Sequence, residues 1–190
     1  EGGCRLKVDI AKAFFSPRLS TEHLRVAQQV KPRECVVDMF AGVGPFSVLI
    51  AKRVESVRIH AIDHNPDATR LAEENARLNK VADKITVWTG DARIVSKKNL
   101  SGVASRVIMN HPSRAREFLK PACETLGRSR GLLHYYTFAD GPDSESKAER
   151  ELKAGLVLLD RKISILSTRK VRGVAPMKWQ IVVDAELALS

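Results

Sequence analysis

Val36-Val37-Asp38-Met39-Phe40-Ala41-Gly42-Val43-Gly44-Pro45-Phe46 is the stretch whose reading decides the fold. A β-branched apolar run ends in an acid, passes through a Gly-x-Gly turn and enters a segment with proline at its start. Glycines there let the backbone approach a ligand closely, at the point where doubly wound sheets bind their cofactors. The turn is not G-x-G-x-x-G, and no Lys-Ser/Thr follows it. That argues against a dinucleotide pyrophosphate and against a P-loop, and suits a ligand without phosphates.

Outward from this turn the chain alternates. Apolar, β-rich runs lie at 35–39, 57–62, 85–89, 106–110 and 132–138, with helical segments expected at 45–54, 66–79 and 113–126. Asn65 is placed to cap the second of these helices, and Pro66 suits its first turn. Strand–helix alternation of this length implies βαβ units in a mostly parallel sheet. The last third changes character. Residues 140–149 read as a polar loop entering a helix, and 156–167 and 179–189 as two long strands that pair antiparallel. The first 20 residues fall outside the βα rhythm. A weak strand is expected at 5–10, and a helix from Glu22 to Val30 capped by Ser20-Thr21. The expected fold is α/β: a doubly wound, mostly parallel seven-stranded sheet, with a small N-terminal extension (1–30) before the main domain (31–190) and an antiparallel C-terminal strand pair.

Polar residues close the strands in order. Asp38 ends the first and Asp63 the second, where a carboxylate can accept both hydroxyls of a ribose. Asp91 follows the third in Thr89-Gly90-Asp91-Ala92, where a carboxylate or backbone amide can read an adenine edge, and Asn110 closes the fourth. The alternative is that Asp63 and Asp91 are ordinary turn residues. Charge adds a second hint. Lys and Arg outnumber Asp and Glu by 32 to 22, a net charge of +10, which favours a polyanion partner because cations that neutralise phosphates release counterions. Arg161-Lys162, Arg169-Lys170 and Arg172 cluster late, near Arg128 and Arg130. They suit phosphate contacts, or else protect a strand edge from pairing. Three cysteines at unrelated spacings fit reduced thiols and match no zinc pattern. The longest apolar stretch is interrupted by Asp38, Gly42, Gly44 and Pro45, so no membrane span is expected, and no secretion signal is visible.

The ordered set Asp38, Gly42, Gly44, Asp63, Asp91 and Asn110 resembles the class I S-adenosylmethionine-dependent methyltransferases. Three longer stretches resemble one family within that class: Phe14-Phe15-Ser16-Pro17-Arg18-Leu19-Ser20-Thr21-Glu22-His23, the turn from Asp38 to Phe46, and Arg106-Val107-Ile108-Met109-Asn110-His111-Pro112. They look like the archaeal and eukaryotic tRNA (guanine-37-N1)-methyltransferases, as do Leu132-Leu133-His134-Tyr135-Tyr136 and Val174-Ala175-Pro176. The resemblance implies a methyltransferase that takes S-adenosylmethionine and methylates N1 of the guanosine next to the anticodon of tRNA. It implies Glu22 as general base, with Asn110 and Pro112 at the reaction centre. His23, Asp38, Phe40, Gly42, Gly44, Asp63, His64, Asp91, Ala92 and Asn110 would hold the cofactor. Phe14, Arg18, Arg169, Lys170 and Arg172 would meet the RNA. N1 of guanine carries a proton and is a poor nucleophile, so a base is needed, and a carboxylate in a partly desolvated site can serve. By position alone, Glu22 is the first-turn acid of a helix and His23 an exposed helix histidine.

A cytoplasmic monomer is expected, the compartment read from the reduced cysteines, and no metal is required by the sequence. The resemblance also places outside this sequence the family's small N-terminal domain, which inspects the outer corner of tRNA, and an upstream arginine. Phe14 stands where the family often has Tyr, and His111 where it has an apolar residue. His111 either tunes substrate choice or faces outward. Competing activities are aminocarboxypropyl transfer in wyosine synthesis, methylation of a wyosine intermediate, and a non-catalytic RNA-binding relative of the fold. Asn110 and Pro112 argue against the first.

Overall fold

The computed structural model describes residues 1–127, 130–159 and 161–189. Its helices are α1 (Ser20–Gln29), α2 (Pro45–Arg53), α3 (Pro66–Leu78), α4 (Ala92–Asn99), α5 (Leu119–Thr125) and α6 (Ser144–Leu156). Its strands are β1 (Cys35–Asp38), β2 (Arg58–Asp63), β3 (Ile85–Thr89), β4 (Arg106–Met109), β5 (Arg130–Asp140), β6 (Arg161–Ala175) and β7 (Lys178–Leu189). The seven strands form one sheet in the order β3-β2-β1-β4-β5-β7-β6, mostly parallel, as the alternation predicts.

The chain divides into two units, Glu1–Val95 and Ser96–Ser190. In the first, β1 pairs with β2 and β2 with β3, both parallel. Cys35, Val36, Val37 and Asp38 are all buried, as a central parallel strand covered on both faces requires. In α2, Phe46 to Ala51 are buried without a break, so this helix has no polar face. α3 is amphipathic. Ala68, Leu71, Ala72, Asn75 and Ala76 are buried, while Arg70–Glu74 and Arg77–Glu73 pairs lie on its exposed side. Asn65 caps it as expected, accepting from the Asp67 amide at 3.0 Å. Ala13, Val43, Ala68 and Leu71 form a buried cluster against which Val8 and Phe15 pack, so the N-terminal segment covers the glycine turn.

In the second unit β4 and β5 are parallel, and β7 runs antiparallel to both β5 and β6. The β6–β7 hairpin turns at Pro176-Met177, with Met177 at φ +57°. A buried network crosses four strands here. The Arg106 guanidinium is 2.8 Å from His134 Nε2, His134 Nδ1 is 2.6 Å from Asp184, and Ser167 donates to the other Asp184 oxygen at 3.0 Å. Arginine can only donate, so His134 carries its proton on Nδ1 and passes it toward Asp184.

Four local expectations need correction. Residues 5–10 form no strand; the Arg5 and Lys7 backbones bond instead to the side chains of Asn79 and Asn75, at 2.7–3.0 Å. Ser20-Thr21 is not a cap. A 3-10 turn (Pro17–Leu19) runs straight into α1, which starts at Ser20 with Leu19 in the capping position. The expected helix at 113–126 is split into a 3-10 turn (Ala115–Phe118) and α5. Pro121 lies in the first turn of α5, where its missing N–H costs nothing. α6 runs to Leu156, so the strand expected at 156–167 begins only at Arg161 but continues to Ala175. One helix, α4, has no counterpart in the sequence pattern.

Candidate active site

In the first unit the site is built around the turn after β1. Gly42 and Gly44 hold φ of +55° and +85°, a left-handed region that side chains other than glycine's enter at a cost. Gly44 also lies 3.4 Å, measured from where a Cβ would stand, from the Ala72 methyl, so α3 packs close against the turn. Asp63 holds the turn from below. One of its oxygens accepts the Gly42 amide at 2.7 Å and the other the Asn65 amide at 2.9 Å. Each oxygen keeps a second lone pair, so the carboxylate can also take ribose hydroxyls. Asn75, fully buried, donates to the Val43 carbonyl at 2.9 Å and to the Lys7 carbonyl at 3.0 Å.

Asp38 is the most unusual group here. It is 0% exposed. Its Oδ2 accepts from Ser47 at 3.0 Å, while Oδ1 is buried without a hydrogen-bond partner. Burial pushes its carboxyl up to about 7; the Ser47 bond and, more weakly, the Phe40 amide oppose this, and the nearby Asp63 charge adds to it. A buried acceptor left open beside a glycine turn fits a ligand that brings a donor or a positive charge. This is an independent sign of a cofactor site.

The other residues expected at the cofactor are placed as follows. Phe40 is half-buried in the turn and Ala92 is buried as the first residue of α4. Asp91 accepts from the Arg93 amide at 2.8 Å and pairs with the Arg93 guanidinium. His64 is exposed, 3.5 Å from Asp63. His23 is not an exposed helix histidine: it is 2% exposed, with Nδ1 2.5 Å from Glu1 and its ring edge-on to Phe46. Glu22 is also buried, in the first turn of α1, and is held by Arg25 through two bonds of 2.7 and 3.0 Å. Phe14 is 75% exposed and Arg18 is exposed.

In the second unit Asn110 follows β4. Its Oδ1 accepts from Gln180 at 3.0 Å, and Gln180 Oε1 accepts from Arg172 at 2.8 Å. Gln180 is 1% exposed, and no sequence motif marks it, because only its bond to Asn110 sets it apart. His111 is half-buried, its ring stacked on Phe118 and 3.2 Å from the Ser113 hydroxyl. Pro112 borders a cleft of about 540 Å³ whose lining includes Arg114, Arg116, Phe138, Glu151 and Lys178. Glu151 accepts from the hydroxyls of Tyr135 and Thr137. β6 is the last strand in the sheet order. It carries Lys162 and Lys170 exposed and Arg169 and Arg172 half-buried, with Lys170 over the Trp179 ring. Arg161 is spent on the Gly127 and Cys123 carbonyls, Arg130 pairs with Glu186, and Arg128 lies outside the described residues. All three cysteines are free and buried, and burial pushes Cys123 up to about 11. Among the described residues no cluster of His, Cys, Asp and Glu is gathered to hold a metal, and no helix is long and apolar enough to cross a membrane.

This sheet, with a glycine turn and an open buried acid after its first strand, defines an α/β domain of the nucleoside-cofactor-binding class. Residues 1–156 match the TRM5/TYW2 methyltransferase domain, and the chain belongs to that family. It is 42% identical over 191 residues to the tRNA (guanine(37)-N(1))-methyltransferase Trm5b of Pyrococcus abyssi, covering 97% of this chain and 53% of that protein. It is 37% identical over 191 residues to a tRNA(Phe) (4-demethylwyosine(37)-C(7)) aminocarboxypropyltransferase of Methanocaldococcus jannaschii, covering 98% and 73%. The crystal structure of M. jannaschii TYW2 in complex with AdoMet superposes with a TM-score of 0.92 at 33% identity, covering 100% of this chain and 84% of that one. The chain thus spans about half the length of the Trm5b relative.

Proposed function

We propose that this chain is the catalytic part of a tRNA methyltransferase that moves the methyl group of S-adenosylmethionine to N1 of guanosine 37. The observation that carries the choice of reaction is Asn110, fixed by Gln180 and followed two residues on by Pro112. The resemblance ties that pair to methyl transfer rather than to aminocarboxypropyl transfer. The open Asp38 oxygen and the Gly42–Gly44 turn support the cofactor.

Bound S-adenosylmethionine supplies a methyl group activated by its positive sulfur. Asp63, already bonded to the Gly42 amide, is the group for the ribose hydroxyls, and the Asp38 oxygen is the group for a donor or cation. Asp91, Ala92, Phe40, His64 and His23 are assigned to the same cofactor from the resemblance. Glu22 takes the proton that N1 sheds as the new N–C bond forms. Arg25 donates to both of its oxygens and holds the carboxylate in place, and each oxygen keeps a second lone pair for the proton. Phe14 offers an exposed ring for stacking on a base. Arg18, Arg169, Lys170 and Arg172 meet phosphates, for which the +10 charge provides the long-range attraction.

The test is transfer of labelled methyl to unmodified tRNA, followed by digestion to nucleosides. The expected product is 1-methylguanosine. Glu22→Gln should lower turnover roughly 10²–10⁴-fold with cofactor affinity kept. A product heavier by an aminocarboxypropyl group would overturn the reaction, and full activity of the Gln variant would overturn the base. The aminocarboxypropyltransferase relative at 37% identity is the reason the product mass is measured and not only the label.

A further inference from the structure

We propose that Gln180 is a positioning residue that sets which end of the Asn110 amide faces the substrate, and that Arg172 fixes its direction. This rests on the reading of Asn110 as a reaction-centre residue.

A carboxamide has two unlike ends. Its oxygen accepts and its nitrogen donates, so an Asn at a reaction centre is useful only if something holds it one way round. Here the order is forced from its far end. The Arg172 guanidinium has donors and no acceptor. It donates from Nε to Gln180 Oε1 at 2.8 Å. That commits the other end of Gln180, its Nε2, to donate, and it does so to Asn110 Oδ1 at 3.0 Å. Asn110 is thereby left with its NH₂ as the outward end. Gln180 is 1% exposed, so water does not compete for either bond.

The strand register shows how Arg172 comes to this place. Along β6 and β7 the partners run Lys170↔Ile181 and then Arg172↔Gln180, with the register shift between them. An unbroken antiparallel ladder would set Val171 opposite Gln180. The irregularity passes over Val171 and places the arginine there instead, which is the re-aiming that bulges perform in sheets. An NH₂ turned outward suits a carbonyl acceptor on the substrate, such as O6 of guanine. It is the wrong end for an exocyclic amine such as that of adenine.

The decisive variant is Gln180→Glu. Glutamate still accepts from Arg172 but has nothing to donate to Asn110, whose amide must then turn and donate inward, leaving its oxygen outward. We expect a folded protein with the melting temperature of the wild type nearly kept. Turnover on tRNA guanosine should fall roughly 10–100-fold, the scale of one unmade hydrogen bond in a buried site. Side-chain amide NMR reads the relay without activity. In the wild type the Gln180 NH₂ is protected from exchange and the Asn110 NH₂ is not, whereas in Gln180→Glu the Asn110 NH₂ becomes protected. Gln180→Leu, which keeps the site apolar, should lose turnover to a similar degree with Asn110 unprotected. Unchanged protection at Asn110 in the Glu variant, or turnover within twofold of the wild type in both variants, overturns the relay. Failure of the wild type itself to form 1-methylguanosine overturns the functional reading instead, and the NMR result still decides the relay.

Discussion

Two buried aspartates, one in each unit, show opposite ways of treating the same group. Asp184 has both oxygens engaged, one by His134 at 2.6 Å and the other by Ser167 at 3.0 Å, with Arg106 behind the histidine. Asp38 has Oδ2 on Ser47 and Oδ1 in no hydrogen bond of ordinary geometry, with the Phe40 amide nearby as a weaker influence. Both residues are almost entirely buried. A completed network of this sort costs desolvation and returns it through fixed partners, so its role is to order strands. An incomplete one keeps its cost in the free protein, and that cost is relieved when a ligand arrives. Burial alone therefore does not separate structural from functional acids here; the count of partners does.

The comparison can be broken first at Asp184. Asp184→Ala leaves Arg106 and His134 buried without their counter-charge, and should cost about 3–5 kcal/mol in chemical denaturation. A loss below 1 kcal/mol would mean that the network is not structural. Next is Asp38, whose carboxyl sits at about 7 against an ordinary 3.8. The folded chain holds that proton more tightly than the unfolded one. Stability from this group is therefore full below about pH 4 and is lost as pH rises through 7. Asp38→Asn removes that dependence, so it should gain about 3–4 kcal/mol on the wild type between pH 4 and 8 while binding S-adenosylmethionine more weakly. Parallel pH curves for the two proteins would contradict the buried, open carboxylate. Asn75→Ala strips the Val43 and Lys7 carbonyls of their donor and should cost about 1–3 kcal/mol, read as a lowered melting temperature. The smallest effect is on the exposed edge. Lys170→Ala should reduce the slope of log affinity for tRNA against log salt by about 1, and an unaltered slope would remove Lys170 from the interface.

Much of the fold follows from local pattern. The β-branched runs, the Asn65–Pro66 start and the alternation place five parallel strands and a late antiparallel pair without any knowledge of contacts. The failures share a cause. Arg5 and Lys7 alternate like a strand, but their backbone partners are asparagine side chains on α3, which no periodicity encodes. α4 has few apolar residues, with Ile94 56% exposed, and its only local signs are Asp91 ahead of it and Lys97 and Lys98 in its last turn. In the candidate site, Asp38, Gly42, Gly44 and Asp63 stand out in the sequence because they belong to one turn and the strand beside it. Gln180 does not, since its meaning depends on a register shift far along the chain, and neither does the Glu22–Arg25 pair, which looks like any surface helix pair until its burial is known.

The two asparagines of α3 have a further consequence. Asn75 and Asn79 grip the main chain of Arg5 and Lys7, so this attachment does not depend on the side chains at 5 and 7, of which Lys7 adds only an exposed pair with Glu74. Asn75 also grips the Val43 carbonyl inside the glycine turn. One carboxamide thus joins the turn to the N-terminal segment, and whatever steadies the turn steadies the Lys7 amide as well. Hydrogen exchange at Lys7 becomes a remote gauge of occupancy at Gly42–Gly44, slowing when the turn is filled.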